Sequence, residues 1–296
     1  MSASEPSTDQ SDISILDGPF SDTVTKPCSS NSFLSVLKYN FRIWLFRNKN
    51  IQRHFRGVRY LLHVVAKMKL KMAFLSVGNK SVLAINYYPF FTRTSSNSVA
   101  DKVVSLNENS YVYGPALNSD TLLDLTSRYS LQVARAYRNA YLQDKLLFDI
   151  CHNEAIISVA RAYLGFEPTL HSCCVTVDIP GEKKTDSGYQ EGFHYDIAGI
   201  KSLNVFIYLS DVDCMSMPHV VIKGSHRQKR LRDIYNGYLS GCEAKKLYGD
   251  AIATLTGPAG TVIFENTEAF HRRGDMNGKG RVLVNILYTS GNKNLM

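Results

Sequence analysis

The sequence predicts an α+β protein with a mainly β, antiparallel core, flanked by helices and preceded by a basic, partly helical extension. Three observations carry that prediction. From residue 168 the chain breaks into short β-rich runs, TLHSCCVTVDI, LNVFIYLSDV, HVVIKGSH, GTVIFEN and RVLVNILYTS, separated by Gly, Pro, Asp or Ser. Before them stands a segment with both helix punctuation marks: Asn153 as cap, Glu154 in the first turn, AIISVARAYL, then Gly165 as the stop. The seventeen Tyr and fourteen Phe suit sheets and aromatic-lined cavities.

Residues 1–30 are rich in Ser, Thr, Asp and Pro with few large apolar side chains, and read as a disordered tail. Residues 31–95 form the extension. Within it, 33–75 reads as helical. Val58, Leu61, Leu62, Val65, Met68 and Met72 share one face, and Arg56, Arg59, His63, Lys67 and Lys71 the opposite one. Such a helix either lies on an anionic membrane, chiefly through 56–72, or packs on the domain and leaves its basic face in water. Residues 96–296 make the main domain. Its first stretch, KVVSLNENSYVYGPALN (102–118), reads as a strand, an Asn turn and a second strand. Two or three helices follow, the first capped by Ser119 or Asp120. The polar stretch 229–250, with Tyr235, Tyr238 and Tyr248, reads as a mobile insert near a pocket mouth.

Charge excludes some partners. The formal net charge is +8, but residues 31–80 hold eleven Lys/Arg and no Asp or Glu, so the rest sums to 8 − 11 = −3. A nucleic-acid partner is not expected. The six cysteines have no regular spacing, which reads as reduced, mostly buried thiols and a cytoplasmic protein. Cys173 and Cys174 are adjacent, so on a strand they face opposite ways. The N-terminus lacks the pattern of a secretory signal, and no run of apolar residues is long enough to span a bilayer.

The chemistry begins at FHYDIA. His194 and Asp196 stand at i and i+2, so on a strand both side chains leave one face and offer an imidazole and a carboxylate to one ion. A third ligand must come from another strand. His271, beyond GTVIFENTEAF, is the candidate. Two His and one carboxylate with open positions is the facial set of non-heme Fe(II) oxygenases. Arg281 follows ten residues later. If the strand bearing His271 turns back, Arg281 lies beside it, and a buried guanidinium there needs an anion.

With these residues in place, the chain from about 100 to 290 resembles the phytanoyl-CoA dioxygenase family of Fe(II)/2-oxoglutarate-dependent oxygenases. The resemblance rests on QEGFHYDIAGIKSLNVFIYLSDVDCMSMPHVVIKGSHR (190–227), then GPAGTVIFEN, His271 and Arg281 in that order. It implies a double-stranded β-helix (jelly roll), with His194, Asp196 and His271 as iron ligands and Arg281 as the clamp on the far carboxylate of 2-oxoglutarate. O2 is the co-substrate and succinate and CO2 the co-products. Because the carboxylate ligand is present, it implies hydroxylation of a lipid, acyl thioester or natural-product intermediate rather than halogenation. Gln190 and Asn204 are further candidates for contact with 2-oxoglutarate. The chain departs from the family at Met217, where relatives commonly have Gly, which is expected to alter a turn. It departs again at Asn204, where many have Lys. His171, His219 and His226 are expected to be structural, Tyr208 to be core, and Arg227, Lys229, Arg230 and Arg232 to be a solvated basic run. The alternative function is a jelly-roll metal- or ligand-binding protein without turnover.

Overall fold

The structure, a computed structural model, describes residues 57–65, 89–92, 98–132, 135–180, 192–275 and 278–290. The tail at 1–30, most of the extension and Gln190 lie outside the described residues.

Helix α1 (Val99–Asn109) corrects the strand expected from residue 102. Ser98 and Asp101 form a reciprocal capping box, and Ser110 ends the helix in a left-handed conformation. Two satisfied orphan donors outweigh the β-propensity of two adjacent valines. Strand β1 (Tyr111–Tyr113) follows. Helix α2 (Ser119–Arg128) is capped by Asn118, one residue before the expected caps. Then come β2 (Arg135–Tyr137), α3 (Lys145–Cys151) and α4 (Glu154–Leu164). Helix α4 has Asn153 as its cap and Gly165 at φ 81° as its stop, both as its sequence signals.

Nine further strands follow: β3 (Pro168–Asp178), β4 (Phe193–His194), β5 (Ser202–Tyr208), β6 (His219–Ile222), β7 (Tyr238–Leu239), β8 (Ile252–Leu255), β9 (Val262–Glu265), β10 (His271–Arg273) and β11 (Arg281–Ser290). They form two antiparallel sheets, ordered β1-β9-β5-β11-β3-β2 and β7-β4-β10-β6-β8. From β3 to β6, and again from β8 to β11, successive strands alternate between the sheets, whereas β6 and β8 pair within one sheet.

Side-chain parity separates two layers of core. One face of the first sheet, with Val175, Val177, Val205, Ile207, Val284 and Ile286, packs on α4 through Ile156, Val159 and Ala160. The other face, with Phe206, Tyr208, Ile263 and Leu283, meets Val221 and Leu255 of the second sheet. Each fully buried aliphatic contributes roughly 1.5–3 kcal/mol. Tyr208 is core, as expected, and donates to the Leu255 carbonyl at 2.7 Å. Cys173 is buried and Cys174 half-buried, matching opposite strand faces. The broader expectation of mostly buried thiols does not hold: Cys151 and Cys173 are buried, but Cys214 and Cys242 are exposed. Cys214 sits in a turn between β5 and β6, and Cys242 in the first turn of a polar helix at 241–248.

The polar insert folds into α5 (Leu231–Asn236), β7 and α6 (Gly241–Tyr248), the last with a Ser240–Glu243 capping box. Strand β7 extends the second sheet beside β4. Met217 is fully buried at φ 52°. The turn therefore keeps the left-handed geometry that a glycine would supply, rather than being altered by the larger residue. No helix among the described residues is long and apolar enough to cross a membrane.

Candidate metal centre

Strand β4 has two residues and is held on both sides. His194 stands opposite Tyr238 of β7 and opposite His271 of β10. Directly opposed residues of an antiparallel pair share a face, so the two imidazoles meet with ring centroids 4.4 Å apart. Asp196 follows the strand and is fixed by its own N–H, which donates to the Thr267 carbonyl at 2.8 Å. Its carboxylate Oδ2 lies 3.5 Å from His271 Nε2. One ligating atom each from His194, Asp196 and His271 falls within 4.8 Å of the others. The three predicted ligands therefore converge, from two strands and the loop between β4 and β5.

The electrostatics fit a cation. Burial alone would lower the His271 pKa, but the adjacent Asp196 carboxylate overrides it and raises the group to about 9. Burial pushes His194 down to about 4, with the neighbouring His271 adding to the effect. Burial alone would raise Asp196, but the His271 charge and hydrogen bond hold it below the usual carboxylate range. His271 Nδ1 lies 3.0 Å from the Ala269 carbonyl, which can only accept, so Nδ1 carries a proton and Nε2 faces Asp196. Two imidazoles and a carboxylate on one side of an ion suit a first-row divalent metal.

Arg281 opens β11 opposite Asp178, the last residue of β3. It does not lie on a strand beside His271, as a simple hairpin requires, because β10 and β11 belong to different sheets. Its side chain shares the inward face with Leu283. It is buried, with Nε 3.0 Å from Asp178 Oδ2 and Nη1 without a hydrogen-bond partner. Asp178 Oδ1 also takes Arg273 Nη1, at 2.9 Å. Two guanidiniums thus share the Asp178 carboxylate.

Asn204 is buried on β5, donates Nδ2 to Thr267 Oγ1 at 3.0 Å and leaves Oδ1 unpartnered. It pairs with Leu287, whereas Arg281 is six residues earlier on β11, roughly 20 Å along the strand. Asn204 therefore belongs to the metal end of the interior, through Thr267, and not to the Arg281 end.

Sequence reasoning passed over three residues here: Glu265, Asp178 and Arg273. His219, expected to be structural, stacks its ring on His271 at 5.2 Å and 19°, and its Nε2 lies 3.1 Å from Glu265 Oε1. That contact ties β6 of the second sheet to β9 of the first, and Glu265 is fully buried with Oε2 unpartnered. Strand parity was the available signal. Glu265 alternates with Val262 and Phe264, Asp178 with Val177, and Arg273 stands two after His271. His226 is structural as expected, contacting Ser110 Oγ at 2.7 Å and the Asn107 carbonyl at 3.0 Å.

The basic run is not a uniformly solvated face. Arg230 pairs with Asp233 and Arg232 with Glu243. Lys229 donates Nζ to the Glu268 carbonyl and lies over the rings of Tyr60, Tyr195 and Phe270, at 5.7, 4.9 and 5.4 Å. Tyr60 belongs to the helix at 57–65, which covers this end of the domain. Arg59 Nη2 donates to the Ile197 carbonyl at 3.3 Å, Tyr60 meets Tyr195 edge-on at 5.6 Å, and His63 Nε2 lies 3.3 Å from Glu268 Oε1. The contacts fall on the residues beside Asp196 and just before His271.

No family model matches the sequence, and no curated protein matches it. Solved structures do match. EctD from S. alaskensis with bound Fe is 16% identical at a TM-score of 0.51, over 67% of this chain and 80% of that one. The epimerase SnoN in complex with Fe3+, alpha ketoglutarate and nogalamycin RO is 14% identical at 0.50, over 64% of this chain and 82% of that one. At such identities the likeness is one of fold.

Proposed function

We propose that the chain is an Fe(II)- and 2-oxoglutarate-dependent oxygenase of the double-stranded β-helix type, akin to the phytanoyl-CoA dioxygenases, that hydroxylates a small organic substrate. The observation that carries this reading is the convergence of His194, Asp196 and His271 within 4.8 Å. The alternation of strands between two sheets supports the fold, and the unpartnered Nη1 of buried Arg281 supports an acidic cosubstrate. When bound, iron with 2-oxoglutarate supplies the oxidising power, with O2 as oxidant and succinate and CO2 as co-products. The chain's own part is placement. His194, Asp196 and His271 would hold the metal on one side and leave the other open. Arg281, fixed by Asp178, would take the distal carboxylate. Tyr60, Tyr195 and Phe270 pack edge to face in series beside the strands that carry His194 and His271.

A second reading has its own support. Asp178 already engages Arg281, and the His219–Glu265 contact crosses between the sheets. A protein that holds metal without turnover would tolerate both.

Anaerobic titration with Fe(II) and 2-oxoglutarate separates the two. The oxygenase shows a visible metal-to-ligand charge-transfer band and, in air, releases succinate. The D196A variant loses the band, and R281A needs at least about tenfold more 2-oxoglutarate, the loss of one charge-assisted carboxylate contact. Metal binding with neither band nor succinate leaves the second reading standing.

A further inference from the structure

The helix at 57–65 is inverted relative to an ordinary surface helix. An amphipathic helix of a globular protein turns its apolar stripe to the core and its charged face to water. Here Arg59, Tyr60 and His63 face the protein, and His63 is buried. Val58, Leu61, Leu62 and Val65, spaced i, i+3, i+4 and i+7, face outward with 56, 63, 64 and 42% of their surface exposed. A continuous aliphatic stripe open to water marks a docking surface.

Charge identifies the occupant. The segment 31–80, which contains this helix, carries eleven Lys/Arg and no Asp or Glu. A second copy on the same stripe would bring two such segments together, against their mutual repulsion. An anionic bilayer meets both demands: its acyl boundary accepts the aliphatic stripe, and its headgroups attract the net positive charge that the sequence of this segment carries. We propose that the outward face of helix 57–65 docks on an anionic lipid bilayer. The polar face stays on the domain, through Arg59 to Ile197, Tyr60 to Tyr195 and His63 to Glu268. The loop carrying Asp196 then lies one helix diameter, about 10 Å, from the lipid. None of these contacts involves the metal, so the inference stands apart from the oxygenase reading.

The test is co-sedimentation of the full-length protein with vesicles of phosphatidylcholine alone or mixed with phosphatidylserine. Partition onto the mixed vesicles is expected to exceed that onto phosphatidylcholine by about tenfold or more, and to fall as salt rises. The double change L61E/L62E, on exposed side chains, is expected to reduce it by about tenfold or more with an unchanged circular dichroism spectrum. Absence of pelleting with anionic vesicles overturns the proposal, as does equal pelleting of the variant. A concentration-dependent dimer by light scattering, abolished in the variant, assigns the stripe to a second copy and also overturns it.

Discussion

At Met217 two residue-scale effects oppose each other. The left-handed backbone at φ 52° costs a non-glycine residue about 1–2 kcal/mol. The side chain is fully buried, and deleting a buried Met costs about 2–5 kcal/mol. Burial wins, so M217G is expected to lower stability by about 1–3 kcal/mol in urea unfolding even though it relieves the turn. Equal or higher stability would mean that the methionine fills no needed space. The same residue shows how a sequence reading falls short. The departure from Gly was visible in the sequence, but its consequence depended on a dihedral that one residue identity does not disclose. The meeting of His194 and Asp196 was legible from parity, a rule of backbone geometry, although Asp196 lies just past the end of β4 and is set by its N–H bond to the Thr267 carbonyl.

Between elements, the connection of most consequence is His219 to Glu265, because it ties β6 to β9 across the interior. Burial lowers the His219 pKa although the Glu265 charge opposes it. Removing one partner of a buried pair leaves the other uncompensated, at a cost of about 3 kcal/mol or more, while replacing both with apolar groups comes near to neutral. H219F is therefore expected to destabilise by about 3 kcal/mol, and H219F/E265L to recover most of that loss. A double-mutant cycle by denaturant unfolding reads the coupling, and additive effects would show that the pair does not interact. Helix α4 was readable because both its ends carry local signals. Helix α1 was not, because Val103 and Val104 suit a strand and only the Ser98–Asp101 box decides the matter. The sheet partners could not be read at all: β11 pairs with β3 and β5, segments that end at Asp178 and Tyr208, far back along the chain, and periodicity says nothing about such distant company.

For the whole molecule, the sequence disclosed the class of fold and the cluster of His194, Asp196 and His271 but not how the helix at 57–65 meets the domain. The helical wheel identified both faces of 57–65 correctly. Which face turns inward depended on Ile197, Tyr195 and Glu268, far along the chain. Strand β4 carries the same lesson into dynamics. A strand of two residues has almost no intrinsic persistence, and one of its two flanking partners is β7, itself two residues long and set between α5 and α6. The half-site that bears His194 is thus tethered to a small excursion of the chain with its own low threshold for opening. Occupancy by a divalent ion should propagate outward through that tether. Limited proteolysis within 229–250 is expected to slow when Fe(II) is added under nitrogen and to quicken again with a chelator, while cleavage elsewhere stays constant. Identical digestion rates in all three conditions would mean that the excursion and the ligand loop open independently.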